Sequence, residues 1–454
     1  MKKNELTELE ITDLTAEGNG VGRHEGIAVF VPGAAVGDRL RVKIVKVLKS
    51  YAYGIIDEIL APSADRIVPD CEYFPKCGGC TFRHMTYDAE LRFKEKLVYD
   101  AFTRLGKINT EFLPILGCET PERYRNKAQY PVGQSENGMI CGFYAKRSHR
   151  IINGTDCKLL PDIFAEIMAD IIKYSKENNI PPYDEQTGKG LLRHIFIRQG
   201  RHSGEIMVCL ILKKDRRELF EKWCSEASEK FPEIKSIVIN INPDKTNVIL
   251  GKKTAVLYGN ETISDTMCQR NISISAQSFY QVNTLQAEKL YGQAEEFAKL
   301  DGTQTVIDLY CGAGTVGLSM IDKVKRLIGV EIVPQAVKNA KKNAEKNSIT
   351  NAEFICSDAG KAAEQLMQSG ETPDVILIDP PRKGSDKKTL DAMVKMQPER
   401  IVMISCNPST AARDCSYLEE NGYKTIKVRA VDMFPRTGSV ECVSLIIKEK
   451  NRER

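Results

Sequence analysis

One cysteine late in the sequence has the setting of a reactive nucleophile. Cys406 directly follows the apolar run 401–405 and stands just before Pro408, where the helical pattern 409–420 begins. The run predicts a short buried strand, which places the thiol at the carboxyl end of a parallel strand, where open α/β sheets bind ligands. Because the N-terminus of the next helix favours negative charge, we expect a thiolate. The alternative for Cys406 taken alone is a buried structural cysteine.

Three cysteines nearer the N-terminus have the spacing of a metal or cluster site. Cys71, Cys77 and Cys80 form the pattern C-x5-C-x2-C. Such thiols can converge on one ion or cluster, and the spacing alone does not separate zinc from iron–sulfur. The candidates for a fourth ligand are Cys118, Cys141 and Cys157. We favour Cys157, because the turn at 154–157 can present a thiolate.

A nucleotide-binding pattern lies in the second half of the chain. The buried strand 305–309 runs into the glycine loop 310–317, which opens a helix, as in doubly wound folds. The G-x-G-x-x-G of this loop would also fit NAD. Strand 326–330 ends in Glu331, which is placed to accept both ribose hydroxyls of an adenine nucleoside. Asp358, after a third predicted strand, could reach the adenine amine.

The residues that follow the next predicted strand distinguish between two classes of cofactor. Residues 375–378 predict a strand that ends in Asp379, followed by Pro380 and Pro381. A carboxylate followed by two prolines makes a rigid rim at the strand end, facing the transferred group. This rim is expected of S-adenosylmethionine-dependent methyltransferases and would be unexplained in a NAD-dependent enzyme. Glu441, just before a last predicted strand, is interpreted on sequence alone as an exposed strand-end acid.

Composition limits the class of protein that carries these motifs. The chain has 454 residues, 42% of them apolar and 28% charged, which is ordinary for a soluble protein of about two to four domains. The net charge is only +4, so a nucleic-acid-binding surface would have to be local. We expect no membrane span and no export signal. Fourteen cysteines in such a chain indicate reduced thiols and a cytoplasmic protein.

The elements that would position these residues fall into three regions. Residues 1–61 predict a small OB-like β-barrel with cations beside aromatics on one face, as in nucleic-acid binders; the alternative is a plain barrel with a solvated face. Residues 62–271 predict a central α+β domain with the cysteine cluster, whose helix at 88–106 could pack on the catalytic domain. Residues 272–454 predict a Rossmann-like α/β domain that binds S-adenosylmethionine. In the central region, the basic stretch 123–127 suits phosphate contact and base stacking, or is a solvated loop.

Taken together, these pieces resemble the RNA (uracil-5-)-methyltransferase family over nearly the whole chain. The motifs that carry the likeness lie at 277–283, 308–312, 379–382, 405–408 and 440–441. The N-terminal barrel resembles the TRAM domain, an RNA-binding module, through Gly-Asn-Gly-Val-Gly-Arg and Val-Phe-Val-Pro-Gly. With this barrel and the cysteine cluster, the chain is similar to the branch that acts on large-subunit rRNA. The tRNA-directed branch generally lacks both additions.

The resemblance implies partners and site residues. It implies S-adenosyl-L-methionine as the cofactor and a 4Fe–4S iron–sulfur cluster on Cys71, Cys77, Cys80 and Cys157. The expected cofactor contacts are Gln281, Tyr310, Gly312, Glu331, Asp358 and Asp379. Cys406 is the implied nucleophile and Glu441 the implied base, although Ser439 stands where many relatives have a histidine. The expected substrate is 23S rRNA, bound by a monomer that has no membrane partner.

These residues suit the chemistry that uracil requires, because its C5 is too weak a nucleophile to take a methyl group directly. A thiolate that adds to C6 makes C5 enolate-like, C5 attacks the sulfonium methyl, and a carboxylate then removes the C5 proton. The base must be flipped out of folded RNA, and Phe279 or Tyr280 could stack against it. The alternatives are a tRNA-directed methyltransferase and a non-catalytic RNA-binding or ribosome-assembly factor. A zinc deaminase is disfavoured, because no H-x-E motif accompanies the cysteines.

Overall fold

The N-terminal region is a closed barrel of five strands. The structure is a computed structural model that describes residues 1–154 and 156–449. The barrel strands are β1 (Leu6–Leu14), β2 (Asn19–His24), β3 (Ile27–Pro32), β4 (Arg39–Val47) and β5 (Tyr51–Ala61). They follow the order β1-β2-β3-β5-β4 around the barrel. Alternate side chains such as Ile11, Val29 and Val42 fill its interior, because successive residues of a strand point to opposite faces.

A helix and a strand follow the cysteine loop, the segment that carries Cys71, Cys77 and Cys80. The helix α1 (Tyr87–Asp100) begins at Thr86, whose side chain accepts a hydrogen bond from the Ala89 amide, and it continues as a π-helical turn, Ala101–Leu105. The predicted helix at 88–106 is therefore present. The strand β6 (Glu111–Leu116) follows it.

The central region is a seven-stranded sheet with helices on one face. Its elements are β7 (Lys127–Ser135), β8 (Gly138–Tyr144), β9 (Ile151–Asn153), α2 (Asp162–Glu177), β10 (Leu192–Gln199), β11 (Ile206–Leu212), the 3-10 turn Arg217–Leu219, α3 (Glu221–Lys230), β12 (Ile234–Ile241) and β13 (Lys253–Gly259). The strand order is β13-β12-β11-β10-β7-β8-β9. Phe164 of α2 and Trp223 of α3 pack on one face, whereas Phe196 and Cys209 on the other face join the core of the C-terminal region. This sheet is therefore shared between two cores.

The C-terminal region contains a hairpin and an eight-stranded sheet. The hairpin and first helix are β14 (Ile263–Met267), β15 (Arg270–Ile274) and α4 (Thr284–Ala298). The later strands are β16 (Thr305–Leu309), β17 (Arg326–Glu331), β18 (Ala352–Cys356), β19 (Val375–Ile378), β20 (Arg400–Ser405), β21 (Tyr423–Val431) and β22 (Glu441–Lys448). The later helices are α5 (Thr315–Ser319), the 3-10 turn Ile321–Lys323, α6 (Pro334–Lys346), α7 (Ala359–Gln368), α8 (Lys387–Met396) and α9 (Pro408–Glu420). In the described part of the chain, no helix combines the length and apolar character needed to cross a membrane.

The order of this sheet, β18-β17-β16-β19-β20-β22-β21-β6, brings the predicted motifs to one edge. The strands β16 to β20 run parallel, so their carboxyl ends meet at that edge, where the strand order reverses between β16 and β19. β22 runs antiparallel to β20, so it begins at the same edge with Glu441.

The last edge strand of this sheet corrects the division made from the sequence. Residues 111–116 were assigned to the central domain by chain order, yet β6 pairs in parallel with β21. The physical reason is apolar packing, because Phe112 and Ile115 lie against the core of the eight-stranded sheet. The C-terminal sheet is thus completed by a segment that precedes the central sheet in the chain.

Candidate active site

Cys406 and Glu441 are brought together by strand register. Ser405, the last residue of β20, pairs with Cys442 of β22, so the next residue along β20 and the preceding residue of β22 lie together at the edge. Asn407 then caps α9, because its side chain accepts a hydrogen bond from the Ser409 amide at 3.1 Å. These contacts fix the thiol between the end of one strand and the start of a helix.

A second hydrogen bond joins the loop 405–408, which carries Cys406, to the proline rim at 379–382. The side-chain amide of Asn407 donates to the carbonyl of Arg382 at 2.9 Å. Residues 379–382 and 405–408 were quoted from the sequence as separate motifs, and this bond makes them one surface. The guanidinium of Arg382 lies close enough to Cys406 and Glu441 to favour their charged forms.

The carboxylates of this edge hold their protons unusually tightly in the protein without cofactor. Burial and the charge of Asp379 raise the pKa of Glu441 to about 8, although Arg382 opposes the shift. Burial likewise raises the pKa of Asp379 to about 7. Glu441 is only 6% exposed, so the exposed strand-end acid expected from sequence alone is a buried one. A carboxyl group near neutrality can take and return a proton at physiological pH.

The thiol does not have the low pKa that its place beside a helix predicted. Burial raises the pKa of Cys406, and Glu441 and Asp379 raise it further, while Arg382 acts in the opposite direction. The helix N-terminus is outweighed because two carboxylates face the same sulfur. Formation of the thiolate therefore requires neutralisation of these acids or transfer of the thiol proton.

The glycine loop is shaped by Glu331 and by backbone that favours glycine. Tyr310 has φ 63°, and Gly312 and Gly314 have φ 56° and 79°, all in the left-handed region. The Glu331 carboxylate accepts hydrogen bonds from the Gly312 amide at 3.1 Å and from the Val333 amide at 2.8 Å. This geometry turns the chain at the end of β16 and ties the glycine loop to the end of β17.

The other predicted cofactor residues surround this loop. Asp358 caps α7 by accepting from the Lys361 amide at 3.2 Å, and its charge helps to raise the pKa of Tyr310. Gln281 lies beside the Tyr291 hydroxyl, which also senses the charges of Asp379 and Glu441. The predicted contacts therefore occupy one contiguous edge.

Two residues of this edge were missed as site residues by sequence reasoning. Asp308 is 2% exposed, and burial followed by the charges of Asp379 and Glu331 raises its pKa to about 7, although its carboxylate accepts from the Gly317 amide at 3.0 Å. Tyr291 looks like one more apolar residue of an amphipathic helix. For Asp308 the available signal was a carboxylate ending a buried strand, as in Asp379.

The substrate loop at 277–283 presents one aromatic ring and conceals the other. Phe279 is 74% exposed, whereas Tyr280 is 3% exposed and its hydroxyl donates to Asp265 at 2.7 Å. The expectation that Tyr280 could stack against a base is wrong for this reason. Phe279 remains as the stacking candidate.

The basic stretch 123–127 is also partly turned inward. Tyr124 is 5% exposed and its hydroxyl donates to the carbonyl of Pro435 at 3.0 Å, so the ring does not offer a stacking face. Arg123 pairs with Asp162 at 2.5 Å. Burial and the neighbouring cations Arg198 and Arg125 lower the pKa of Lys127 to about 8.

The four predicted cluster ligands line one cavity of about 270 Å³. They are Cys71, Cys77, Cys80 and Cys157, and the same cavity is lined by Arg83, Arg125 and Lys127. Cys118 instead faces the Asn283 side chain at 3.8 Å. Thiolates with neighbouring cations are the residue types that bind an anionic iron–sulfur cluster. In the residues that the structure describes, however, no three metal-ligating side chains stand close enough to hold a metal ion.

The barrel exposes an aromatic cluster bordered by cations. The ring centroids of Phe30 and Tyr51 lie 5.3 Å apart, and those of Tyr51 and Tyr53 lie 5.6 Å apart. Tyr53 is 37% exposed, and β4 places Lys46 directly opposite it. Among the described residues, Lys43 and Lys46 take part in no ion pair, so both charges face solvent.

The fold and its strand-end acids define an S-adenosylmethionine-dependent methyltransferase. The chain is similar in structure to the tRNA (uracil-54, C5)-methyltransferase of Pyrococcus abyssi, solved in complex with S-adenosyl-L-homocysteine. The TM-score is 0.78 at 24% sequence identity, and the match covers 97% of this chain and 100% of that chain. At this identity the likeness shows the fold.

Sequence comparison then assigns the family. Residues 86–449 match the family tRNA (uracil-5-)-methyltransferase, and residues 2–56 match the TRAM domain. An uncharacterized RNA methyltransferase of Halalkalibacterium halodurans is 45% identical over 447 residues, 98% of each chain. One of Listeria innocua is 43% identical over 450 residues, again 98% of each chain. The chain belongs to this family of S-adenosylmethionine-dependent RNA methyltransferases, as its resemblance implied.

Proposed function

We propose that the protein transfers the methyl group of S-adenosylmethionine to C5 of a uridine in RNA, through a transient covalent bond between Cys406 and C6. The observation that carries this proposal is the meeting of Cys406, Asp379 and Glu441 at one sheet edge. Register and mutual charge effects both support that meeting. A thiol beside a carboxyl group of neutral pKa is the pair that nucleophilic addition and later elimination require.

The reaction balances with these residues alone and the cofactor. The Cys406 sulfur, as thiolate, adds to C6, and the C5–C6 electron pair moves toward C5 and O4. C5 then takes the methyl group, and the sulfonium becomes the neutral thioether of S-adenosylhomocysteine. Finally Glu441 accepts the C5 proton, the C5–C6 double bond re-forms, and the Cys406 thiolate leaves.

The acidic edge suits a cationic cofactor. Asp308, Asp379 and Glu441 have raised pKa values because burial and mutual repulsion disfavour their negative charges. The positively charged sulfonium of S-adenosylmethionine would relieve this repulsion. Gln281, Tyr310, Gly312, Glu331, Asp358 and Asp379 are proposed to hold the cofactor.

Two surfaces are proposed to hold RNA. Phe279 projects from the substrate loop and offers a ring against which a flipped uridine or its neighbour can stack. The cluster of Phe30, Tyr51 and Tyr53, with Lys46 opposite, combines aromatic rings and positive charge as single-strand binders do.

We infer that the RNA is 23S rRNA, because the chain carries both a TRAM barrel and the cysteine loop. A tRNA is the second candidate, favoured by the full-length structural match to a protein whose name states a tRNA substrate. Mapping of 5-methyluridine in 23S rRNA and tRNA, from a strain with and without the gene, separates the two. Loss of the modification from tRNA alone would overturn the 23S rRNA assignment.

We also propose a 4Fe–4S cluster on Cys71, Cys77, Cys80 and Cys157. The support is the shared cavity, its bordering cations, and the hydrogen bond that the Gly79 amide donates to the Cys77 sulfur at 3.4 Å. Amide-to-sulfur bonds and nearby cations stabilise the negative charge of such clusters. The proposed role is structural, and methyl transfer uses no electron from it.

The nucleophile and the base are tested with RNA that contains 5-fluorouridine or uridine. Cys406→Ala should lose methylation and form no covalent complex with 5-fluorouridine RNA, because the C6 bond cannot form. Glu441→Gln should form the adduct with ordinary RNA and accumulate it on denaturing gels, because the C5 proton stays in place. Normal turnover by Cys406→Ala would overturn the proposal.

A further inference from the structure

A fully buried charge cluster lies between α1 and the loop that leads into β22. Its members are Glu90 and Lys94 of α1 and Asp432 of the loop, and all three side chains are inaccessible to solvent. The Lys94 ammonium lies 2.6 Å from a Glu90 oxygen and 2.7 Å from an Asp432 oxygen. Buried charges persist when they are paired and fully hydrogen-bonded, and this arrangement fixes its members in one geometry.

The cluster holds the backbone of Phe434 and Arg436 in the loop 432–440, which runs directly into Glu441. The Lys94 ammonium donates to the carbonyl of Phe434 at 3.1 Å. The Glu90 carboxylate accepts from the Arg436 amide at 2.7 Å, and the Asp432 carboxylate accepts from the Phe434 amide at 3.2 Å. The first residue of β22 therefore starts from a segment anchored to α1.

Further hydrogen bonds reach the same loop from other sides. The Asn283 side chain donates to the Met433 carbonyl at 3.1 Å, and the Thr81 amide donates to the Arg436 carbonyl at 2.7 Å. The Tyr87 hydroxyl donates to Asp432 at 2.7 Å. These contacts come from the substrate loop, the cysteine loop and α1, and each ends on the segment before Glu441.

The nucleophile has a separate support. Cys406 follows β20, and its loop is tied to the proline rim through Asn407 and Arg382. The described side-chain hydrogen bonds of Glu90, Lys94 and Asp432 end on one another, on the 432–440 loop or on Tyr87. Besides the β20–β22 register that they share, the two reacting groups of the proposed mechanism thus have separate supports.

We propose that Glu90, Lys94 and Asp432 are positioning residues for Glu441, and that they govern elimination of the covalent adduct without governing its formation. This inference rests on the proposed function. In elimination the C5 proton passes to Glu441, the C5–H electron pair re-forms the C5–C6 double bond, and the bond from C6 to the Cys406 sulfur breaks. A displaced Glu441 impairs this step most, because its carboxylate takes the proton directly, whereas Cys406 keeps the hydrogen bonds of its own loop.

The test uses two mild variants of the full-length protein. Asp432→Asn leaves the Lys94–Glu90 pair intact, and Tyr87→Phe removes only a hydroxyl group. Tyr423→Phe is the matched control, since its buried hydroxyl donates to the Pro398 carbonyl at 3.3 Å, and this is its one hydrogen bond among the described residues. Each protein is mixed with uridine-containing RNA and tritium-labelled S-adenosylmethionine, and methylated adduct and free methylated RNA are separated on denaturing gels.

The expected result is an adduct-formation rate within about twofold of wild type and an adduct-decay rate lowered about 10- to 100-fold, as small misplacements of a reacting group produce. Both rates of Tyr423→Phe should match wild type. Equal losses in formation and decay for Asp432→Asn and Tyr87→Phe would overturn the inference, as would unchanged decay in both. If Glu441→Gln itself fails to accumulate adduct, the proposed base is wrong, which is a separate outcome.

Discussion

Cys406 and Glu441 stand side by side because β20 and β22 run antiparallel with Ser405 opposite Cys442. A parallel neighbour would have placed the start of β22 at the far edge of the sheet. Because β22 runs antiparallel, its first residue, Glu441, adds a carboxylate to an edge that is otherwise built from the carboxyl ends of strands. This single reversal assembles a nucleophile and an acid in an eight-stranded sheet whose other strands run in one direction.

The acidic edge predicts that cofactor binding depends on pH. Glu441 has a pKa of about 8 and Asp379 of about 7, so both bind protons at pH 6 and lose them by about pH 9. A sulfonium cation favours the deprotonated forms, so binding of S-adenosylmethionine must expel protons at low pH. Its affinity should therefore rise between pH 6 and 8, by up to about tenfold per pH unit for each proton displaced. Calorimetric titration at several pH values measures this rise.

S-adenosylhomocysteine is the matched control for that titration, because its sulfur carries no charge. Its affinity should rise less with pH, and Asp379→Asn should reduce the difference between the two ligands. The same raised pKa values mean that the folded cofactor-free protein binds protons more tightly than the unfolded chain. The contribution of Asp379 and Glu441 to its unfolding free energy should accordingly fall as the pH rises from about 4 to about 8, and the difference between wild type and Asp379→Asn isolates the part due to Asp379. Identical pH dependence for both ligands would contradict the electrostatic account.

Phe279 is predicted to act on folded RNA. The ring is 74% exposed beside the site, so Phe279→Ala should leave thermal stability unchanged. Loss of a base-stacking ring costs about 1–3 kcal/mol, so kcat/KM on a hairpin substrate should fall roughly 5- to 150-fold. A short single-stranded substrate needs less unstacking and should lose less. Equal losses on both substrates, measured by methyl incorporation, would argue against a role in base extrusion.

Tyr53 is predicted to stack on an unpaired base. Tyr53→Ala should weaken binding of single-stranded RNA about tenfold, and Tyr53→Phe should bind as wild type, because stacking needs only the ring. Fluorescence anisotropy with single-stranded and duplex RNA of equal length provides the measurement. The control is Tyr258→Ala on β13, whose side chain is 39% exposed against 37% for Tyr53. An equal loss of RNA affinity in Tyr53→Ala and Tyr258→Ala would contradict a role of the barrel in single-strand recognition.

The cysteine cavity predicts an iron content that depends on four thiols. Protein purified without oxygen should be brown and contain about four iron and four sulfide per chain. Cys157→Ser should lose most of the iron, whereas Cys141→Ser should keep it, because Cys141 lies outside the set that lines the cavity. Elemental analysis and absorbance spectra check this. Colourless protein with stoichiometric zinc would contradict the proposed cluster.

The local elements and motifs were predictable because they depend on short-range patterns. The strand before Cys406, the helix at 88–106 and the glycine loop follow from periodicity and turn residues. Side-chain direction in loops was not predictable, since Tyr280 packs into the core and donates its hydroxyl hydrogen to Asp265, which is distant from the loop in the sequence pattern. The raised pKa of Cys406 also depends on carboxylates that are far away in the chain and meet it only at the folded edge.

The position of β6 has a consequence for synthesis and for engineering. This strand leaves the ribosome long before β21, the neighbour that it needs, and the whole central sheet is made in between. The eight-stranded layer therefore reaches its final width only when the carboxyl end of the polypeptide arrives. A fragment that begins at residue 272 lacks β6, so the backbone hydrogen-bonding groups along the edge of β21 would be unpaired. Such a fragment should self-associate, and a soluble minimal enzyme must therefore retain residues 87–116.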